Sequence, residues 1–346
     1  MRLRTILLRL RQVRYLKFVM QHYGDSLTTG KYRVSDSLRS VVLDNRKIVE
    51  QSKKYFYKPG ISTSKVKIAT ILNKAHIFKN TNTKSSEEYD ALYTANNYSD
   101  IREVKLFSFK NNSILTICTT TEECEKQLRQ YEAYSSIYRM PLVSKADRYP
   151  NSYAIAMVDL SPSPGEHEAM RAIAEATMRV GDEKGISGFV RVGDVINETY
   201  DDANALLLSK IISKADETLA KTAMPTCIQH GDLSKENLIY GVADGKRDYW
   251  FIDWEHAGER VFFYDWFFYI INTAMYYNDE ALQLYLNGEE DELLVDLFER
   301  FNVSYEPKHR KDYLILFMLI FLKERVCDLG NGVALEQYCA FIDRYI

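Results

Sequence analysis

The stretch CIQHGDLSKENLIY, residues 227–240, places His230, Asp232 and Asn237 inside an apolar run. A second carboxylate, Asp253, follows in FIDWEH. The segments NLIYG and YWFID predict two short strands, and ADGKRD between them predicts a turn that contains glycine. Such a hairpin would fold Asp253 back beside the HGD loop, so that three polar side chains distant in sequence converge on one site.

Phosphoryl transfer from a nucleotide requires residues of these types. A carboxylate must orient the attacking hydroxyl and accept its proton, and hard oxygen ligands must hold magnesium against the phosphates. Asp232, Asn237 and Asp253 meet both requirements. An aspartate that caps a turn would explain a lone HGD equally well. The order and separation of HGDxxxxN and IDWE favour the catalytic interpretation.

The composition limits the partners and the compartment. The 45 basic and 48 acidic residues leave a formal charge of -3, which gives the whole protein no attraction to nucleic acid. The five cysteines include no CxxC pair, so they predict neither a disulfide framework nor a zinc site. We therefore expect a cytoplasmic protein that does not bind nucleic acid.

The N-terminal segment MRLRTILLRLRQVRYLKFVM is strongly basic and has apolar residues at helical spacing. Arg9 and Arg11 interrupt its apolar run, which disfavours a secretory signal. Two interpretations stay open for residues 2–20. The helix docks on its own domain, or it contacts an anionic membrane surface peripherally, at the inner face of a membrane.

The sequence divides the whole chain into three parts. Residues 1–99 form an N-terminal extension that includes the basic helix and polar stretches such as KYFYKPGIS. Residues 100–160 predict the order strand, strand, helix, strand, strand, beginning with the hairpin IREVKLFSF and SILTICTT. The segment SPSPG, residues 161–165, breaks the chain before a mainly helical part, residues 161–346.

The two halves of the site resemble the aminoglycoside phosphotransferase and choline kinase group, relatives of the protein kinases. The hallmark of this group is an HGD loop that ends in Asn, followed by an IDWE or IDFE strand. QHGDLSKENLIY matches the loop, and FIDWEHAGERVFFYDWFF matches the strand. The resemblance covers about residues 100–346. It implies an α+β, two-lobed protein-kinase-like fold with a small antiparallel β lobe that binds nucleotide and a mainly α-helical catalytic lobe.

The resemblance also implies roles for individual residues. Asp232 would be the catalytic base, and Asn237 and Asp253 would bind magnesium. His230 and Asp265 would support the loop structurally. The cofactors would be ATP or GTP with Mg²⁺. Contacts with the nucleotide are expected from four residues before the hinge, which are Lys105, Glu132, Met157 and Asp159.

The small lobe departs from the pattern in two places, and one of them is the turn KNN, which lacks the glycines that let a backbone fold over phosphates. Kinase-like small lobes carry a lysine on the third strand that grips the phosphates, but SILTICTT has Thr116 and Cys118 there. Lys105 on the preceding strand and Lys110 at the turn stay as alternatives. In such lobes the lysine pairs with a glutamate on the following helix, and Glu132 is the residue expected in that role.

These features predict an ATP- and Mg²⁺-dependent phosphotransferase that phosphorylates a hydroxyl of a small molecule. A sugar or glycan intermediate ranks ahead of an amino alcohol or aminoglycoside as the acceptor. The alternative is a catalytically degenerate kinase-like protein that binds a nucleotide or a partner. Other charged residues are interpreted as solvated surface: Lys235, and the acids at 289–292 and 296. His256 is interpreted as a surface or packing residue.

Overall fold

The computed structural model describes residues 3–56, 63–74, 78–81, 89–94, 103–191, 211, 221–325 and 332–345. The chain divides into two compact units. Unit 1 comprises Met1–Ala133, Pro141–Ser161 and Gly241–Arg247. Unit 2 comprises Tyr134–Met140, Pro162–Tyr240 and Asp248–Ile346.

Unit 1 is built on an eight-stranded antiparallel sheet. Its strands are β1 (Gly30–Val34), β2 (Ser40–Leu43), β3 (Phe78–Asn80), β4 (Ala91–Thr94), β5 (Val104–Ser108), β6 (Ser113–Ile117), β7 (Val143–Lys145) and β8 (Ser152–Ala156). They lie in the order β3-β1-β2-β4-β5-β6-β8-β7. The register places Lys105 opposite Thr116, and Thr116 opposite Tyr153. Helix α4 (Thr121–Tyr134) connects β6 to β7.

Alternate residues of the central strands enter two separate apolar clusters, as expected for a sheet with both faces covered. The larger cluster includes Leu106 of β5, Leu115 of β6, and residues of helices α1 (Leu3–His22) and α3 (Thr63–Lys74). The smaller cluster includes Phe107 of β5, Met157, and residues of helix α2 (Arg46–Phe56). Helix α2 therefore lies on the opposite face of the sheet from α1 and α3.

Strands β1 to β4 lie before residue 99, where the sequence places the end of an N-terminal extension. In the structure these strands continue the same sheet, since Leu92 of β4 lies opposite Leu106 of β5. The division of the chain falls instead after Ser161, beside the expected hinge. Strands of three to five residues among polar neighbours are too short for alternation to reveal them.

Helix α1 docks its C-terminal half on unit 1. Leu16 and Val19 are completely buried in the larger cluster, and Val13 and Met20 pack beside them. Within the described residues no helix is both long enough and apolar enough to span a bilayer.

Unit 2 is mainly helical. Its helices are α5 (Glu166–Lys184), α6 (Tyr264–Tyr276), α7 (Glu280–Asn287), α8 (Asp291–Arg300), α9 (Arg310–Arg325) and α10 (Gly332–Tyr345). Helix α6 has the sequence YDWFFYIINTAMY, which is apolar on most of its circumference. Trp266, Phe267 and Ile270 are all buried, so α6 is the central helix of this unit.

Two groups of short strands complete the fold. Strands β10 (Gly188–Arg191), β11 (Ala223–Gln229) and β14 (Gly258–Val261) form one antiparallel sheet in unit 2. Strands β12 (Leu238–Ala243) and β13 (Lys246–Phe251) form a hairpin, and β12 pairs with β9 (Asp159–Leu160) through Gly241 and Val242. The predicted class, α+β with an antiparallel sheet in one part and mainly helices in the other, is confirmed.

Candidate active site

The HGD loop leaves the end of β11 through a glycine that no other residue could replace without strain. Gly231 has φ +82°, in the left-handed region that favours glycine. A Cβ atom at this position would overlap the carbonyl oxygen of His256 and the guanidinium of Arg260. The backbone of the loop is therefore packed tightly against the segment that follows Asp253.

The carboxylate of Asp265 fixes the loop from the first turn of α6. Its Oδ2 accepts the backbone N–H of His230 at 2.6 Å, and its Oδ1 accepts that of Gly231 at 2.8 Å. The backbone N–H of Asp265 donates to Oε1 of Gln229 at 3.0 Å. Asp265 is only 1% exposed, and burial raises its pKa to about 6, although the two N–H donors and the charge of Arg260 act in the opposite direction.

His230 is buried and neutral. The Nε2–H group donates to the carbonyl of Ile252 at 2.8 Å, which leaves Nδ1 as the acceptor for the backbone N–H of Asp232 at 3.4 Å. The ring lies 4.6 Å from the ring of Trp254, centroid to centroid. Burial lowers the pKa of His230 to about 4. The side chain therefore joins the HGD loop to the IDWE segment and carries no charge at neutral pH.

Asn237 fixes the orientation of the Asp232 carboxylate. Its amide nitrogen donates to the backbone carbonyl of Asp232 at 2.7 Å and to Oδ2 of the same residue at 3.2 Å. The amide oxygen of Asn237 is thus the atom of this side chain that faces away from these contacts. It is a hard oxygen ligand of the kind that magnesium prefers.

Asp253 adjoins Asn237 through the backbone. The N–H of Ile252 donates to the carbonyl of Asn237 at 3.0 Å, one residue before Asp253. Asp253 itself has φ +70°, which is unusual for a residue other than glycine. A strained backbone of this kind costs on the order of 1–3 kcal/mol and often occurs at functional sites. The structure therefore brings Asp232, Asn237 and Asp253 together within unit 2.

The donor set fits a magnesium ion better than a zinc or iron ion. Across the parts of the chain that the structure describes, no group of three or more His, Cys, Asp or Glu side chains could hold a metal alone. An amide oxygen and one carboxylate suit an ion that keeps several waters and binds phosphate oxygens as well. Asn237 and Asp253 are the residues that would hold it.

Lys235 differs from the sequence expectation. It is not a solvated loop lysine, because its ammonium group forms an ion pair with Oε1 of Glu166, a buried residue at the start of α5. Oε2 of Glu166 accepts the hydroxyl of Tyr269 at 2.7 Å. The pair ties the middle of the HGD loop to α5. Glu166 could not be recognised from the sequence, since an acid in the first turn of a helix is common.

The acidic stretch at 289–292 is likewise not uniformly solvated. Glu290 is buried, and its Oε1 contacts Nδ1 of His167 at 2.6 Å. Asp291 forms an ion pair with Arg310, whose Nε lies 2.9 Å from Oδ1 of Asp291. These contacts correct the prediction of a water-facing helix surface at both positions. His256 contacts its neighbour Glu255 at 3.3 Å and is partly exposed, as a surface residue would be.

Comparison with known proteins finds similarity in structure. No protein-family model matches the chain, and no curated protein matches its sequence. A choline/ethanolamine kinase family protein from Mesorhizobium loti is 15% identical, with 71% of this chain and 83% of that chain covered and a TM-score of 0.42. The choline kinase LicA from Streptococcus pneumoniae is 12% identical, with 71% and 90% covered and a TM-score of 0.43.

A thermostable mutant of the aminoglycoside phosphotransferase APH(4)-Ia, in a ternary complex with ADP and hygromycin B, is 14% identical, with 75% and 95% covered and a TM-score of 0.45. The chain is similar in structure to small-molecule kinases. Identities of this size concern the fold alone.

The residues that the sequence predicts to bind nucleotide lie in unit 1. Lys105 forms an ion pair with Glu103 at 3.0 Å, and Glu132 lies on the exposed side of α4. Thr116 occupies the position of the missing lysine and is completely buried, with a hydroxyl that has no hydrogen-bond partner among the described atoms. The interpretation of Lys105 or Lys110 as the substitute for this lysine stays a prediction.

Met157 and Asp159 lie in the segment that follows β8. Met157 is buried in the smaller cluster, beside Phe107 and Phe109. Asp159 forms an ion pair with Lys54 of α2 at 2.6 Å. Both residues therefore contact the neighbourhood of α2, a helix to which the sequence assigned no role.

Proposed function

We propose that this protein transfers the terminal phosphate of ATP, with Mg²⁺, to a hydroxyl group of a small molecule. The observation that supports the proposal is the fixed Asp232 carboxylate. Its Oδ2 is held by Asn237, and the loop on which it lies is held by Asp265. A positioned carboxylate beside two hard oxygen ligands is what phosphoryl transfer requires.

In the proposed reaction, Asp232 accepts the proton of the acceptor hydroxyl. The hydroxyl oxygen forms a bond to the γ-phosphorus while the bond from that phosphorus to the bridging oxygen breaks, and ADP leaves. Magnesium, when held by Asn237 and Asp253, would neutralise charge on the phosphate oxygens. Lys105, Glu132, Met157 and Asp159 are proposed to contact the nucleotide, with GTP as an alternative donor.

For the acceptor, we propose a sugar or glycan hydroxyl ahead of an amino alcohol or an aminoglycoside. The alternative function is a degenerate kinase-like protein that binds a nucleotide or partner without catalysis. The two functions differ in whether phosphate is transferred to an acceptor, which can be tested directly. The intact set of Asp232, Asn237 and Asp253 favours the enzyme, because simple partner binding does not need three adjacent oxygen ligands.

A thermal shift experiment tests the metal and nucleotide site. ATP with Mg²⁺ is expected to raise the melting temperature of the protein, because a ligand that binds the native state stabilises it. Asp253→Ala is expected to weaken this binding by at least 10-fold, since removal of a group that only orients a metal ligand already costs about 10- to 100-fold in metal affinity.

Glu259→Ala, at an exposed position of β14, is the matched control and should retain the full shift. An equal shift in the Asp253 variant would contradict the metal assignment. The absence of any shift with ATP or GTP, with or without Mg²⁺, would contradict nucleotide binding altogether.

We also propose that the protein is cytoplasmic and contacts an anionic membrane surface peripherally through residues 2–20. The face of α1 opposite the core leaves large apolar side chains exposed, with Leu7 58% and Phe18 56% exposed. Cations lie on the same side of the helix. Apolar and basic residues together on one exposed face are typical of interfacial helices. The exposed residues on this face are Leu7, Leu10, Arg11, Arg14, Lys17 and Phe18.

Co-sedimentation with lipid vesicles tests this contact. The protein is expected to bind vesicles that contain phosphatidylserine and not vesicles of phosphatidylcholine alone, because each cation near the surface contributes about 1 kcal/mol of attraction. Arg11→Glu with Arg14→Glu should abolish the binding. Lys126→Glu with Arg129→Glu, on the exposed side of α4, is the control for net charge. Equal binding by both double variants would contradict the role of α1.

A further inference from the structure

The C-terminal end of helix α2 is bound to the segment that the proposed function gives to the nucleotide. The ammonium group of Lys54 lies 2.6 Å from Oδ1 of Asp159. The hydroxyl of Tyr55 donates to the backbone carbonyl of Val158 at 2.9 Å. Two successive residues of α2 thus contact two successive residues of this segment.

The other polar groups of the segment also have partners within unit 1. The backbone N–H of Met157 donates to the carbonyl of Asn112 at 2.8 Å. Asp159 lies in β9, where it is paired with Val242 of β12. The hydroxyl of Tyr55 therefore donates to the carbonyl of Val158, and the ammonium group of Lys54 pairs with the carboxylate of Asp159. A nucleotide base that approached these two groups would meet the side chains of Lys54 and Tyr55, which already contact them.

The ring of Tyr55 occupies an aromatic environment suited to a flat ligand. Its centroid lies 6.1 Å from that of Phe107 and 5.9 Å from that of Phe109. Phe56 contacts Phe107 edge-on at 4.9 Å. A planar ring among aromatic side chains, with one donor directed at a backbone carbonyl, has the same chemistry as a bound adenine base. Burial raises the pKa of Tyr55 to about 12, so its hydroxyl stays a donor at neutral pH.

We propose that α2 and the nucleotide compete for residues 157–159, so that the C-terminal turn of α2 must leave this segment before a nucleotide can bind there. The proposal rests on the proposed function, because it takes Met157 and Asp159 as nucleotide contacts. It makes α2 an internal competitor of the cofactor.

Opening the end of α2 would break one exposed ion pair and one hydrogen bond, and would expose one buried ring. At its start, Oδ1 of Asn45 accepts the backbone N–H of Lys47 at 3.0 Å, and Ile48 packs against the smaller cluster. At its end, the pair of Lys54 and Asp159 is exposed, at 48% and 72% of the two side chains. Exposed ion pairs are weak. Opening the last turn also exposes Phe56, which is buried in the smaller cluster. The closed arrangement therefore predominates when no nucleotide is bound, and opening is a local event confined to this turn.

A double variant, Lys54→Ala with Tyr55→Phe, tests the competition. It removes the ion pair and the hydroxyl but keeps the ring, so the protein should fold normally, which its melting temperature without nucleotide verifies. The Kd for ATP with Mg²⁺ is expected to fall about tenfold, since the fraction of molecules with an open segment increases. Lys53→Ala is the matched control, because Lys53 pairs only with Glu50 on the same exposed side of α2 among the contacts described.

Hydrogen exchange of α2 provides the second measurement. Adding ATP with Mg²⁺ to the unmodified protein should speed amide exchange near Tyr55 and leave exchange in α3 unchanged. If ATP binds in a manner that Asp253→Ala weakens, yet exchange in α2 does not change, the competition is refuted and the proposed function stands. A Kd equal to that of the Lys53 variant, or a higher one, also refutes it. If no nucleotide binds to any variant, both proposals fail.

Discussion

Asp232→Asn is expected to lower kcat by about 10³-fold while the affinity for ATP with Mg²⁺ changes less than about twofold. An amide of the same size can keep the contact with Asn237, but it cannot accept the proton of the acceptor hydroxyl. The loss therefore falls on the chemical step and spares binding. Transfer of labelled γ-phosphate to a panel of sugars, amino alcohols and aminoglycosides measures it, and slow ATP hydrolysis by water gives a readout that needs no acceptor.

Asp244→Asn is the control for this change. Asp244 lies in the turn between β12 and β13, is exposed, and has φ +51°, a conformation that asparagine adopts readily. It should retain full turnover. If the Asp232 variant kept more than a third of the activity of the unmodified protein, Asp232 would not be the base. If that activity came from a contaminating enzyme, the interpretation as a catalytically degenerate protein would gain support.

The second large effect concerns the dependence of stability on pH. His230→Asn is expected to gain about 2 kcal/mol in unfolding free energy, relative to the unmodified protein, as the pH falls from 7 to 4.5. Burial lowers the pKa of His230 from 6.5 to about 4. The stability that the neutral ring contributes is thus complete above pH 6.5 and is lost as the pH falls towards 4. The variant has no such loss.

Asp265 acts in the opposite direction. Burial raises its pKa from 3.8 to about 6, so its contribution is complete below pH 3.8 and is lost as the pH rises through 6. In the unmodified protein the two contributions oppose each other between about pH 4 and 6, and His230→Asn removes only one of them. Urea unfolding at several pH values measures the difference, with His256→Asn as the control at a partly exposed histidine. Parallel curves for the unmodified protein and the His230 variant would show that His230 titrates normally.

The candidate site could be located from the sequence because its parts are local. His230, Asp232 and Asn237 share one loop, and a short hairpin returns the chain to Asp253. Each of these positions depends on neighbours within a few residues or on a single strand pairing. The fold class followed from the same hairpin and from the apolar helices after it.

Features that depend on packing between distant segments could not be found in this way. Lys235 and Glu166 are 69 residues apart, and Lys54 and Asp159 are 105 residues apart. No local sequence pattern around these four residues distinguishes them from solvated charges. The same is true of Glu290, whose burial follows from the position of α8 against α5 and from its contact with His167. A charged residue on a helix is usually exposed to water, so its charge alone cannot identify a buried exception such as Glu290.

The pairing of β9 with β12 affects how such a protein can change in evolution. Unit 1 includes Gly241–Arg247, which the chain reaches only after it has built much of unit 2. A gene cut after codon 161 would leave Leu160 without the strand residue, Gly241, that it pairs with. Recombination that exchanged the first unit for that of another protein would have to carry a second short graft at the hairpin. A single cut in the chain therefore cannot separate the two units with all of their strand pairings intact.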